Sequence, residues 1–239
     1  MTSTIAFIGK SGSGKTTLTK SFAKLIKQKF PNSTILLVDN DLSLELSERY
    51  GIKAKNTIYG VKSGKHEYKT GIPEGMSKQE FIEWALEDII INIDENVDII
   101  ASWLVTPKDC KCIDTKLTRD SLVKIIDWYD FVIFDCEFDL KYLNSLVDYP
   151  IDETIIVSNC DKQSFNVALK IADFSKKYAA DGRISLILNK VNKENSHQLE
   201  ALDCLELNLL GNIQEFNEID YNKIANVLSN FYSRINLPQ

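Results

Sequence analysis

Long apolar runs are missing from this 239-residue chain, in which no stretch of about 18 consecutive hydrophobic residues occurs, so nothing in it reads as a bilayer-spanning helix. Cysteine is scarce and odd in number, five in all, which speaks against a disulfide framework and for a reducing cytoplasm. Histidine occurs twice, as His66 and His197, and neither has a cysteine or carboxylate at matching spacing; both are read as exposed side chains rather than ligands. Positive charge is not in excess either. The 28 basic against 34 acidic side chains leave a net charge of −6, whereas nonspecific nucleic-acid binding needs a basic surface to displace counterions. Met1 to Lys15 holds one short apolar run, Ile5–Ile8, followed by glycines, which is not the pattern of a secretory signal. What is present is an ordinary globular mixture, 44% hydrophobic and 26% charged, in a chain long enough to bury a sizeable core.

Short β-rich runs alternate with helical patterns from end to end, the signature of βαβ units and a mainly parallel, doubly wound α/β sheet with helices on both faces. The candidate strands are Thr4–Ile8, Thr34–Asp39, Asp98–Ser102, Phe131–Asp135, Glu153–Ser158, Ile184–Asn189 and Leu207–Gly211. Ile35–Val38 and Phe131–Phe134 are solidly apolar, as suits strands covered on both faces. Candidate helices span Lys15–Lys29, Lys78–Ile93, Lys116–Tyr129, Ser164–Tyr178, Ser196–Leu205 and Tyr221–Ile235. Ser77 followed by Glu80 is a capping box for the second of them. Trp84, Trp103 and Trp128 are expected to pack in the core or at an interface. The polar stretch Gly51–Gly75 has no strong periodicity and reads as an exposed excursion from a single domain spanning residues 1–239.

The sharpest signal follows the first strand. Gly9-Lys10-Ser11-Gly12-Ser13-Gly14-Lys15-Thr16-Thr17 satisfies G-x-x-x-x-G-K-[ST] and opens the first helix. In such a loop backbone N–H groups close around a β-phosphate, the Lys15 position reaches the β/γ-phosphates, and the Thr16 hydroxyl ligates Mg²⁺. The helix amino terminus adds its positive end to the same anion site. The chain is therefore expected to bind a nucleoside triphosphate.

The second lysine, Lys10, makes the loop G-K-x-x-x-G-K-T, which resembles the deviant Walker motif of the family that contains the nitrogenase iron protein, the ParA and MinD partitioning and positioning ATPases, and their metallochaperone relatives. The resemblance implies that Lys10 reaches across a dimer interface to the partner's phosphates. It implies further that Asp39, in Asp39-Asn40-Asp41, helps hold the Mg²⁺ shell and that Asp41 orients the attacking water. Asp135 reads as the Walker B carboxylate. Asn189-Lys190-Val191 matches the segment by which relatives read adenine, and Gly211-Asn212-Ile213-Gln214-Glu215-Phe216 resembles a segment that also lines the base, with Gln214 where proline is usual. By this likeness Lys10, Lys15 and Asp41 are the catalytic candidates, Gly9 to Thr17 with Asn189, Lys190, Ile213 and Gln214 bind ATP, and Thr16, Asp39 and Asp135 hold its Mg²⁺.

Cys110-Lys111-Cys112 places two thiols at i and i+2 between a strand and a helix. Two cannot complete a four-coordinate site, but a two-fold dimer would supply four sulfurs, enough for Zn²⁺ or Ni²⁺. Together with the rest of the chain, this pair resembles the CooC-type maturation ATPases, which assist nickel insertion into carbon monoxide dehydrogenase and related enzymes. The likeness implies a cytoplasmic, homodimeric ATP-dependent metallochaperone with a nickel-enzyme client, and with neither nucleic acid nor membrane as partner. Two departures stand out: Asp109 replaces the family's glycine before the first cysteine, and Asp135-Cys136-Glu137-Phe138-Asp139 lacks the glycine of the usual switch segment. Slow or differently coupled hydrolysis is the expected consequence. A partitioning or positioning switch acting by nucleotide-dependent dimerisation is the alternative, and a small-molecule kinase a third, disfavoured by the D-x-D and N-K-V segments.

Overall fold

The computed structural model describes residues 2–63, 71–102, 115–137, 151–178, 183–196, 207–215, 224–225 and 227–229. Its strands are β1 (Ser3–Gly9), β2 (Ile35–Asn40), β3 (Ile91–Asp94), β4 (Val97–Ala101), β5 (Phe131–Glu137), β6 (Glu153–Asn159), β7 (Arg183–Val191) and β8 (Asn208–Gln214). Its helices are α1 (Lys15–Lys29), α2 (Glu45–Arg49), α3 (Ile58–Ser63), α4 (Lys78–Asp88), α5 (Thr115–Ile126) and α6 (Lys162–Tyr178). The eight strands form a mainly parallel sheet, the expected α/β class. Every residue of β1 and β2 is buried, as are Phe131–Cys136 and Glu153–Ser158, the mark of strands covered on both faces. Among the described residues no helix is long and apolar enough to cross a membrane.

The chain divides into two compact units, Met1–Thr2 with Asn32–Val132, and Ser3–Pro31 with Ile133–Gln239. In the first unit the strand order is β3-β4-β2. β2 and β4 run parallel from Ile35 opposite Val97 to Asp39 opposite Ala101, and β3 lies antiparallel to β4. That edge strand corrects the expected helix Lys78–Ile93, which begins on its capping box as read but stops at Asp88. Three successive isoleucines, Ile89 to Ile91, are stiff at χ1 and favour extended backbone. Asn96, at φ 57°, then turns β3 into β4. Gln79 Nε2 donates to Ser121 Oγ at 3.0 Å, and Lys124 pairs with Glu83, tying α4 to α5.

The stretch read as a polar excursion contains an anchored turn. The Thr57 hydroxyl accepts from the Gly60 N–H at 3.2 Å to cap α3. The Tyr59 N–H donates to the Ser102 carbonyl beyond β4 at 2.9 Å, and Ile58 and Val61 are buried. The apolar pair is too short and too isolated to register as periodicity. Trp84 and Trp128, expected in the core or at an interface, are 49% and 55% exposed and so lie outside the core.

In the second unit β1, β6, β7 and β8 run in that order, each pair parallel. α1 buries Leu18, Phe22 and Ile26, and Phe22 meets Phe7 of β1 edge to face at 5.6 Å. A reciprocal clasp starts β1: the Thr4 N–H donates to Asp152 Oδ2 at 2.8 Å, and the Asp152 N–H to Thr4 Oγ1 at 2.9 Å. Thr34 and Asp130 repeat it in the first unit, at 2.9 and 3.0 Å. These clasps secure the amino ends of strands; ligands in such sheets bind at the carboxyl ends. Of the expected helix Ser196–Leu205 all but Ser196 lies outside the described residues, and of Tyr221–Ile235 the described residues 224–225 and 227–229 are helical.

Candidate functional site

β1 delivers the chain to Gly9, where a Cβ would stand 2.1 Å from the Val157 carbonyl oxygen, so the glycine-rich loop leaves the sheet in contact with β6. The Ser13 N–H donates to the Lys10 carbonyl at 3.1 Å and closes the loop. Gly14 then adopts φ 94° and opens α1, whose Leu18 N–H returns to the Gly14 carbonyl. That φ belongs to glycine, and a Cβ there would lie 2.3 Å from the Asn189 amide nitrogen.

Lys15 and Thr16 are 5% exposed. The Lys15 ammonium has one hydrogen-bond partner among the described residues, the Lys10 carbonyl at 3.3 Å. No acidic residue occupies the first turn of α1. A buried ammonium and an uncompensated helix amino end together call for an anion, so the loop fits a polyphosphate on its own geometry. Ser11 and Gly12, which complete the loop with half-buried Thr17, face solvent.

The end of β7 braces this loop. Asn189 Nδ2 donates to the Ser13 carbonyl at 2.7 Å, and Lys190, at φ 56°, sends its Nζ to the Gly12 carbonyl at 2.7 Å. A trans peptide points its N–H opposite its C=O, so tying the Ser13 carbonyl turns the Gly14 N–H the other way. The expected base-reading amide is thus spent, at least in its NH₂, on shaping the phosphate loop. Ile213 is buried in β8 and Gln214 is exposed at its end, where Gln214 pairs with Val191 of β7.

Asp135 lies fully buried in β5, and its Oδ1 accepts from Thr19 Oγ1 at 3.4 Å. Thr19 also bonds the Lys15 carbonyl at 3.1 Å. Sequence reading missed Thr19; its one signal is a hydroxyl on the buried face of α1, one turn beyond Thr16. Lys10, expected to reach a partner subunit, donates to Gln163 Oε1 at 2.8 Å at the start of α6 in its own chain. Asp161 stands beside it. Burial pushes the Asp161 carboxyl up, but hydrogen bonds from Ser164 and the Lys10 charge hold it below the usual range.

Asp39 and Asp41 belong to the first unit. Asp39, at the end of β2, has no solvent exposure. Its Oδ2 accepts from the Ser47 N–H at 2.8 Å and the Ser47 hydroxyl at 2.6 Å, while its Oδ1 finds no hydrogen-bond partner among the described residues. Burial pushes its pKa up to about 6, against hydrogen bonds from Ser47 and the Asp41 backbone and with a smaller push from the Asp41 charge. An orphaned, buried carboxylate oxygen of this kind suits a cation. Asp41 Oδ1 is held by the Ser43 N–H and hydroxyl at 2.8 and 2.7 Å, which fixes the turn into α2. The serines of Asp41-Leu42-Ser43 and Ser47 are second residues that sequence reading passed over.

Cys110 and Cys112, with His66, His197, Trp103 and Cys204, lie outside the described residues. Cys136 and Cys160 are buried.

An uncharacterized ATP-binding protein of Methanocaldococcus jannaschii is 25% identical over 219 residues, 90% of this chain and 85% of that protein. A plasmid partition protein from Borrelia burgdorferi shares the fold at a TM-score of 0.72, with 23% identity over 98% of this chain and 100% of that chain. The septum site-determining protein MinD of Pyrococcus horikoshii, complexed with Mg-ADP, does so at 0.65, with 22% identity over 96% and 89%. The family model AAA_31, described as an AAA domain, matches residues 2–197. With most of its length matched in this way, the chain belongs to the AAA_31 family of AAA domains.

Proposed function

We propose that this protein is a Mg²⁺-dependent ATPase that switches between monomer and homodimer with its nucleotide and acts through a partner bound in one of those states. The observation that carries the reading is the buried Lys15 ammonium at the uncompensated amino end of α1, inside a loop whose carbonyls are held back by Asn189 and Lys190. Lys15 would hold the β- and γ-phosphates, Gly9 to Thr17 their oxygens, and Thr16, Asp39 and Asp135 the Mg²⁺. Bound Mg²⁺ supplies charge neutralisation for phosphoryl transfer. Asp41, fixed by Ser43, would orient the water, and Lys10 would leave Gln163 for the partner's phosphates. Asn189, Lys190, Ile213 and Gln214 would border the base. The likeness to partition and MinD proteins, and the ATP-binding relative, support this reading.

A second reading, the CooC-type metallochaperone for a carbon monoxide dehydrogenase-like client, rests on Cys110-Lys111-Cys112 together with the likeness of the rest of the chain to that group. The metallochaperone reading makes the protein cytoplasmic with neither nucleic acid nor membrane as partner, whereas the switch reading allows DNA or protein partners. Differential affinity for the closed dimer is what would drive the switch. Gel filtration with Mg²⁺ and a nonhydrolysable ATP analogue is expected to double the apparent mass of the wild type; an unchanged mass contradicts the switch. Anaerobic titration with Ni²⁺ or Zn²⁺ on the same samples separates the readings. About half a metal per chain, lost in Cys110→Ala/Cys112→Ala, selects the metallochaperone; no metal in either protein selects the partner-binding switch.

A further inference from the structure

The outward faces of α1 and α4 carry opposite charge at the same spacing. α1 buries Leu18, Phe22 and Ile26, which leaves Lys20, Lys24 and Lys27 on its other side at i, i+4 and i+7. Lys24 is exposed and its two neighbours are half-buried. From Met1 to Val38 the chain has six lysines and no acidic residue. α4 buries Ile82, Ala85 and Leu86. Its other side presents Glu80, Trp84, Glu87 and Asp88, all exposed, at i, i+4, i+7 and i+8. From Gln79 to Asp98 there are seven acidic residues and no basic one.

The α4 face is unfavourable as it stands, on two independent counts. Trp84 is 49% exposed, its ring 6.0 Å from that of half-buried Phe81, so much of the indole gains nothing from folding. Glu87 and Asp88 lie in the last turn, at the negative end of the helix dipole, and that turn has no basic residue. A row of cations laid along this face relieves both. An ammonium stacks on the indole, and its neighbours pair with the carboxylates and complement the dipole.

We propose that α4 docks α1 of a second copy of this chain, with Lys24 on the Trp84 ring and the flanking lysines against Glu80 and the Glu87–Asp88 pair. The outer positions of each row are seven residues apart, about 10.5 Å along either helix. The three contacts therefore form together whichever way the helices run. A net charge of −6 works against a nucleic acid as the occupant of α1, but an acidic helix face suits it. α1 and α4 are different surfaces, so the contact is heterologous, and a copy that lends α1 keeps α4 for another. It uses neither Lys10 nor the phosphate loop and needs no nucleotide. It stands or falls apart from the ATP-driven switch.

Sedimentation velocity of the nucleotide-free full chain at rising concentration tests it. At about 50 mM salt the wild type is expected to grow past dimer, and about 500 mM salt is expected to return it to monomer. Trp84→Ala is expected to weaken the association about tenfold or more, as the loss of a central aromatic anchor does. Lys20→Gln/Lys24→Gln disables α1, and Glu87→Gln/Asp88→Asn disables α4. Each is expected to stay monomeric where the wild type associates. Mixed in equal amounts they are expected to form a one-to-one pair and stop there, the intact α4 of one against the intact α1 of the other. That pairing also shows that both variants fold. A wild type that stays monomeric at low salt overturns the proposal, and binding of duplex DNA or a lysine-rich peptide by that monomer does not restore it. Association that Trp84→Ala or either double variant leaves unchanged overturns it too. So does a mixture that stays monomeric while both variants keep their secondary structure.

Discussion

Asp39→Asn is expected to stabilise the nucleotide-free protein near pH 7.5 while weakening its Mg²⁺-dependent nucleotide binding at least tenfold. Asp39 is fully buried, with one carboxylate oxygen unpartnered among the described residues, and its pKa is pushed up to about 6. The unfolded chain titrates near the ordinary 3.8. Above pH 6 both states are ionised, and the fold bears the burial penalty of the charge, about 3 kcal/mol for a shift of this size. Between pH 6 and 4 the folded protein takes up a proton that the unfolded chain does not, so wild-type stability from this group rises as pH falls. Asparagine keeps the acceptor for Ser47 but leaves amide donors without a partner, which offsets about 1–2 kcal/mol. The net gain at pH 7.5 is about 1 kcal/mol and disappears by pH 5. Urea denaturation at the two pH values measures it. A variant less stable than wild type at pH 7.5, with the same pH slope, would show that the buried charge is compensated in the apo fold. The binding loss follows from the proposed Mg²⁺ role, since a bound cation would offset the burial penalty of the Asp39 charge.

Gly14→Ala is expected to reduce nucleotide affinity by about a hundredfold or more. Its φ of 94° alone would cost an alanine about 1–2 kcal/mol, and the new Cβ would lie 2.3 Å from the Asn189 amide nitrogen. Either the loop or Asn189 must move, and Asn189 holds the Ser13 carbonyl that sets the loop's shape. The pair should therefore couple. Asn189→Ala alone weakens binding by freeing that carbonyl, but in the Gly14→Ala background it removes the clash and should cost little more. Fluorescent-nucleotide titration of both single variants and the double gives the cycle. Strict additivity would mean that the two side chains do not meet in the working protein.

Much of this site was legible in the sequence because its constraints are local. Gly9 to Thr17 must leave a strand, turn tightly and enter a helix, and the residues that allow that sequence of backbone states are few. Asp39 and Asp135 were singled out from the family likeness, as acidic residues at the ends of apolar runs. The residues that aim them were not. Ser47 and Thr19 are ordinary hydroxyls in helices, and only the fold brings them to Asp39 and Asp135. The boundary of α4 failed for a different reason. Ile89, Ile90 and Ile93 continue an apolar helical face on paper, yet pairing of Ile91 with Ile99 in β4 overrides that periodicity. Trp84 on α4 and Trp128 in the turn after α5 show the limit of composition, because a large apolar residue need not face the core.

The central claim is that the Gly9–Thr17 loop, through Lys15, is a Mg·ATP site. Calorimetric titration of the full chain with ATP and Mg²⁺, wild type beside Lys15→Met, tests it most directly. The expected result is saturable binding near one nucleotide per chain in the wild type, weakened at least a hundredfold in a variant of unchanged secondary structure. No binding by the wild type, or binding that Lys15→Met leaves intact, would contradict it.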